Sequence, residues 1–159
     1  TEDRKETGLV LSNSIAMNIA LSAYRRMNTL SLVHRGEARR LVTQMVERMR
    51  MKTRSTELPV ASMSGGNQQK VVLARCFSTA PLCLMCDEPT RGIDEGAKQE
   101  VYRLLDEFAQ AGGALLLVSS EAQEVLDVSD RIAIFKAGRL VDVVDAGQAT
   151  QEQLLHLAS

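Results

Sequence analysis

The sequence predicts an α/β fold, with a mostly parallel sheet carrying helices and a helical subdomain preceding it. Three observations lead there. Two short apolar runs, 82–86 and 114–118, are separated by an amphipathic stretch long enough for a helix, the alternation that builds parallel sheets. Charge divides along the chain. Residues 1–60 carry 11 Lys/Arg against 6 Asp/Glu, and residues 61–159 carry 8 against 14, so the two parts are expected to do different jobs. Finally, 159 residues at 45% hydrophobic and 25% charged suit one globular core, not a disordered or collagen-like chain.

Residues 12–54 read as mostly helical. Leu41, Val42, Met45, Val46 and Met49 recur at helical spacing and form an apolar stripe. Arg39, Arg40, Arg48 and Arg50 around it are either a solvated face or a docking surface. From residue 61 the pattern alternates. A helix over 68–78 opens from a Ser-Gly-Gly turn, and a strand over 82–86 is expected to be buried on both faces. A helix over 97–110 carries Val101, Leu104, Leu105 and Phe108 on one side and ends at Gly112-Gly113. A second buried strand covers 114–118 and a short helix 121–127. Strands over 132–135 and 140–144 flank Ala137-Gly138 as a hairpin. A final helix over 150–157 takes Thr150 as its N-cap.

The net charge of -1 gives no whole-chain basic field, and 3% aromatics give no interleaved stacking pattern for single-stranded nucleic acid. No apolar run approaches the roughly 20 residues that span a bilayer. Thr1 opens neither an initiator Met nor a secretory signal, so the chain is expected to be cut from something longer. The three cysteines, Cys76, Cys83 and Cys86, argue for reduced thiols and a cytosolic address. Cys83 and Cys86 form a C-x-x-C but point to opposite faces of a strand, so they read as small buried apolar residues before a redox or zinc pair. His34 and His156 stand alone and read as surface or packing residues.

Two motifs carry chemistry. Met63-Ser64-Gly65-Gly66-Asn67-Gln68-Gln69-Lys70 stands directly before a helix. Its glycines allow close backbone approach, and the helix start offers unpaired N–H groups at a positive dipole end, an anion site suited to phosphate. The same turn is also an ordinary helix start. The second motif ends the first apolar strand in Asp87-Glu88-Pro89-Thr90, at the sheet edge where such folds bind ligands. Asp87 could hold Mg²⁺ through its water shell, and Glu88 could orient or deprotonate a water for attack on phosphate. A strand ending in a polar turn is the plainer alternative.

In combination the motifs resemble the ATPase subunit of an ABC transporter, a P-loop NTPase. By that resemblance Ser64, Gly65, Gly66, Asn67 and Gln68 belong to the signature sequence, and the strand ending in Asp87-Glu88 is the Walker B strand. Arg91-Gly92-Ile93-Asp94 matches the D-loop, and Ser119-Ser120-Glu121 stands at the switch loop. Together with Glu2-Asp3-Arg4-Lys5, these motifs look like the second nucleotide-binding domain of the tandem ATPase in bacterial monosaccharide importers of the ribose, galactose and xylose type. The resemblance covers essentially the whole chain. It implies one partial ABC ATPase domain over 1–159: a Q-loop junction over 1–11, a helical subdomain over 12–60 and an α/β core over 61–159.

Two departures bear on activity. None of the ten glycines is followed by Lys, so the Walker A loop is absent. The resemblance starts near the Q-loop, with Glu2 where Gln is usual, and the Walker A half is expected before Thr1. The switch position, normally His, holds Ser120, which can hydrogen-bond phosphate but cannot stabilise charge as imidazole does.

The resemblance implies ATP and Mg²⁺ as cofactors, bound weakly by this chain alone. It implies Glu88 and Ser120 at the catalytic positions and Asp87 as a water-mediated metal contact. Ser64, Gly65, Gly66, Asn67, Gln68, Asp94 and Glu2 are implied at nucleotide, the signature residues in trans to the ATP of the first domain. Implied partners are that first nucleotide-binding domain, the transmembrane permease and, indirectly, a sugar-binding protein, with no nucleic acid. Implied location is the cytoplasmic face of the bacterial inner membrane, as a peripheral subunit. The chain by itself is expected to be inactive and to self-associate. Competing readings are a soluble ABC-type ATPase acting on ribosomes or DNA, and a non-catalytic regulatory module.

Overall fold

Ser14 starts the first helix by accepting the Met17 N–H at 3.1 Å, and helix α1 (Ile15–Ala20) buries Ile15 and Ile19 completely. The computed structural model describes residues 8–24, 28–29 and 32–158. Helical character does not run through 12–54 as the sequence suggested. An antiparallel pair, β1 (Asn28–Thr29) and β2 (Leu32–Val33), separates α1 from α2 (Arg35–Arg48). The predicted stripe on α2 is real. Val42, Met45 and Met49 are buried against the rest of the molecule, with Leu41 and Val46 half-buried beside them. A short 3-10 turn (Val60–Ser62) leads to α3 (Gly65–Phe77).

The helix read over 68–78 thus begins at Gly65. The two glycines form its first turn, because Ser64 takes the extended N-cap conformation and hands the helix over to them. Strand β3 (Cys83–Asp87) and β4 (Ala114–Val118) pair in parallel, with Leu84 opposite Leu115 and Asp87 opposite Val118. Between them runs α4 (Glu95–Gln110), whose Val101, Leu104, Leu105 and Phe108 are buried. Asp94 caps it by accepting the Ala97 N–H at 3.0 Å.

Burial on both faces of these strands is corrected by the structure. Leu84 and Cys86 face the core, while Cys83, Met85, Leu116 and Val118 are exposed. The core lies on the side of Leu84 and Cys86, and the side that carries Met85, Leu116 and Val118 is open to solvent in large part. Cys83 is therefore not the buried apolar residue expected, whereas burial pushes the Cys86 thiol up to about 12.

Helix α5 (Ala122–Val128) follows, then the hairpin β5 (Arg131–Lys136) and β6 (Arg139–Asp145), and α6 (Gln151–Ala158). The hairpin turns at Ala137 and Gly138, both at positive φ, and Thr150 accepts the Gln153 N–H at 3.2 Å as the predicted cap. Among the described residues the parallel sheet is two-stranded, and the hairpin forms a separate antiparallel sheet. The main core joins α1 to α4 with β3, and β4 packs against it. A second cluster of Ile132, Ile134, Ala146 and Leu154 sits in the C-terminal unit. No helix among the described residues is long and apolar enough to cross a membrane.

Candidate functional site

The start of α3 is open to a ligand. Ser64 is exposed, and its hydroxyl does not cap its own helix; it accepts from Asn67 Nδ2 at 3.1 Å. The first-turn N–H groups therefore lack a side-chain cap at the positive end of a 13-residue helix. Gly65 is half-buried in that turn. Gly66 has a different constraint. A Cβ there would lie 2.5 Å from the Ala97 Cβ, so glycine is what lets α3 approach the start of α4.

A cleft of about 290 Å³ opens here, lined by Ser64, Gly66, Asn67, Asp94, Lys52 and Lys70 among others. Its wall is braced from within. Gln68 is buried and donates to the carbonyls of Met63 at 3.2 Å and Val60 at 3.4 Å. Lys70 is buried, donates to the Arg50 carbonyl at 3.4 Å and pairs with Glu100. The hydrogen bond from Lys70 holds the Glu100 carboxyl below the usual carboxylate range. The Lys52 N–H donates to Asn67 Oδ1 at 3.4 Å.

The remaining candidates gather elsewhere, at the carboxyl ends of β3 and β4. Asp87 is exposed at the last position of β3. Glu88 follows with φ at 48°, a left-handed backbone that costs a non-glycine residue about 1–2 kcal/mol. Its N–H donates to the Val118 carbonyl at 2.9 Å, and its Oε1 accepts the Ser120 N–H at 2.6 Å. Glu88 and Ser120 are thus brought together through the Ser120 backbone. Ser120 lines a second cleft, about 760 Å³, between β4 and β5. Neither Glu88 nor Ser120 lines the Ser64 cleft, Ser64 does not line the second one, and Glu88 lines neither. Glu2 lies outside the described residues.

Sequence reasoning missed Glu124. It is 3% exposed, and its two carboxyl oxygens accept from the Thr90 hydroxyl at 2.6 Å and from the Ser119 hydroxyl. No local signal in the sequence marked it, because the partners that satisfy its carboxyl come from the segments after β3 and β4. Burial raises the Tyr102 phenol beside this cluster.

The Ser64 cleft has groups suited to a phosphate chain: uncapped helix N–H groups and an exposed hydroxyl. Among the described residues no group of three or more His, Cys, Asp or Glu could cage a metal. Mg²⁺ needs none, because it takes one or two carboxylates plus phosphate oxygens and water, and Asp87 offers one.

A parallel strand pair with Asp87-Glu88 at one carboxyl end, and an uncapped helix start on a separate cleft, define an α/β domain with groups suited to phosphate. The particular family follows from comparison. The model of the ABC transporter family matches residues 2–91, and the chain belongs to that family. It is 45% identical over 157 residues to the ribose import ATP-binding protein RbsA of Rhodopirellula baltica, covering 99% of this chain and 31% of that protein. The counterpart in Oceanobacillus iheyensis is 43% identical over 159 residues, covering 100% and 32%. The chain thus spans about a third of the length of these relatives.

Solved structures share the fold at low identity. A dimeric ATP-binding cassette bound to ADP and Pi superposes with a TM-score of 0.73 at 19% identity, over 87% of this chain and 59% of that one. An inward-facing transporter described as metal-chelate type gives 0.80 at 16%, over 94% and 59%.

Proposed function

We propose that this chain is part of the ATP-binding subunit of a bacterial carbohydrate importer, coupling ATP binding and hydrolysis to sugar uptake. Its identity to ribose import ATP-binding proteins supports the substrate class. Within that subunit we read it as part of the second of two nucleotide-binding domains, peripheral on the cytoplasmic face of the inner membrane. Its partners are the first domain, the permease and, through it, a sugar-binding protein. Segment 12–60 is its helical subdomain and docks on the permease.

The observation that carries the reading is the separation of the two clefts. Ser64, Gly65 and Asn67 present an uncapped helix start away from Glu88 and Ser120, as is needed if they close over ATP held by the partner domain. Gln68 holds that turn from inside, and Asp94 fixes the start of α4 on the same cleft. Asp87, Glu88 and Ser120, with Glu2, serve this chain's own site, which a serine at the switch position leaves weak. ATP and Mg²⁺ are the cofactors, and the chain alone, with no Gly-Lys pair, is inactive. A regulatory, non-catalytic role for this site is favoured by one contact: Ser120 meets Glu88 through its backbone N–H and offers no imidazole.

Steady-state ATPase rates of the reconstituted transporter test the division of labour. Ser64→Arg places bulk at the open rim and is expected to lower the rate about 10²-fold, the usual cost of a lost transition-state contact. Glu88→Gln is expected to cost far less. Equal damage from both would overturn the assignment. Gly66 is the poorer probe, because any side chain there also collides with Ala97.

A further inference from the structure

Burying a carboxyl group is costly unless its oxygens are satisfied, and an apolar residue would fill the inner face of α5 more cheaply. Glu124 nevertheless sits there, 3% exposed. One oxygen accepts from Thr90, itself 1% exposed, at 2.6 Å; the other accepts from Ser119. The Ser119 hydroxyl oxygen in turn accepts the Glu121 N–H at 3.0 Å. Thr90 stands two residues beyond Glu88 in the segment after β3. Ser119 immediately precedes Ser120 in the segment after β4. One side chain therefore ties together the two segments whose next contact is the 2.6 Å bond from the Ser120 N–H to Glu88. The other link from this loop, Lys98 to Glu121 at 2.7 Å, involves a half-exposed carboxylate and is weakened by solvent.

We propose that Glu124 is a positioning residue: by holding Thr90 and Ser119 it keeps the Glu88 carboxylate and the Ser120 amide in register. The proposal rests on the reading that Glu88 and Ser120 flank this chain's own nucleotide. Glu88 has little freedom of its own, since its backbone is left-handed and hydrogen-bonded to Val118. What can move is the partner segment. With the Ser119 hydroxyl unanchored, the Ser120 N–H is free to swing from the carboxylate, and with Thr90 released the segment after Glu88 can shift as well.

The test uses the full-length ATPase carrying this sequence, with Glu124→Gln, Glu124→Ala, Ser119→Ala and the double variant Ser119→Ala/Glu124→Gln. Amide hydrogen exchange is read at Ser120 and Glu121, with Leu84 and Leu115 as internal controls. Loss of a buried hydrogen bond is expected to speed exchange at Ser120 about tenfold in Glu124→Ala, with the controls unchanged. The nearly isosteric Glu124→Gln should be intermediate, and Ser119→Ala in its background should add less than it does alone. Unchanged exchange at Ser120 in Glu124→Gln and Glu124→Ala, or strictly multiplicative effects in the double variant, would overturn the proposal.

ATPase rates supply the separate check. Because Glu124 acts through Glu88, Glu124→Gln should add no loss on top of Glu88→Gln, and a further multiplicative loss would also overturn it. A faster Ser120 exchange with no rate change in Glu88→Gln would keep the tie and remove only the catalytic reading of Glu88.

Discussion

Lys70 shows how one side chain sets a pH limit. Its side chain is 5% exposed, whereas that of its partner Glu100 is 45% exposed, so water reaches the acid far more than the base. The Lys70 hydrogen bond lowers the Glu100 carboxyl below the usual carboxylate range. A lowered acid contributes stability above its unfolded value and loses it as pH falls through the folded one. The pair is therefore intact at neutral pH and fails in acid below the usual carboxylate range, leaving the buried Lys70, among the described residues, with the Arg50 carbonyl as its hydrogen-bond acceptor. Glu100→Gln is expected to cost about 1–2 kcal/mol at pH 7, less than a fully buried pair because Glu100 is hydrated. It should also flatten the acid limb of a thermal-melt series. A variant with wild-type melting at pH 7 would contradict this.

At the scale of elements, the contact between α3 and α4 makes the sharpest demand. Gly66→Ala puts a methyl 2.5 Å from Ala97, an overpacking expected to cost about 1–3 kcal/mol. Ala97→Gly should restore most of that loss in urea denaturation, since it removes the atom that collides. No recovery would mean the glycine is required for something other than packing. This second role of Gly66 was not legible in the sequence, because a phosphate cradle and a helix crossing ask for the same residue. The strands, the caps at Thr150 and the stripe on α2 were legible, since period and capping chemistry are local. The β1–β2 interruption was not, because two-residue strands are too short to show a period; nor was the inward turn of Glu124, which depends on Thr90, 34 residues away. Motif spacing pointed to Glu88 and Ser120, but not to the backbone N–H that joins them.

At the scale of the molecule, one sheet face is left bare. Met85 is 74% exposed and Leu82 89%, with Leu116 and Val118 beside Met85 on the parallel pair. Among the described residues, the outer edges of β3 and β4 have no strand partner. Unpaired edges and apolar faces recruit other chains. The 159-residue chain is expected to self-associate at high micromolar concentration, and Met85→Lys with Leu116→Lys to reduce it. A monomer in sedimentation of the unmodified chain would refute this.

The separate cluster of Ile132, Ile134, Ala146 and Leu154 has a further consequence, for cooperativity. A chain with two cores and a cleft of about 760 Å³ between them need not melt all at once. The hairpin with α6 can open as its own unit, exposing little surface, while α3 and α4 stay folded. Amides of β5 and β6 should then exchange with a lower opening free energy and a shallower urea dependence than those of α4. Curves converging on one shared value for both regions would mean that the two cores stand or fall together.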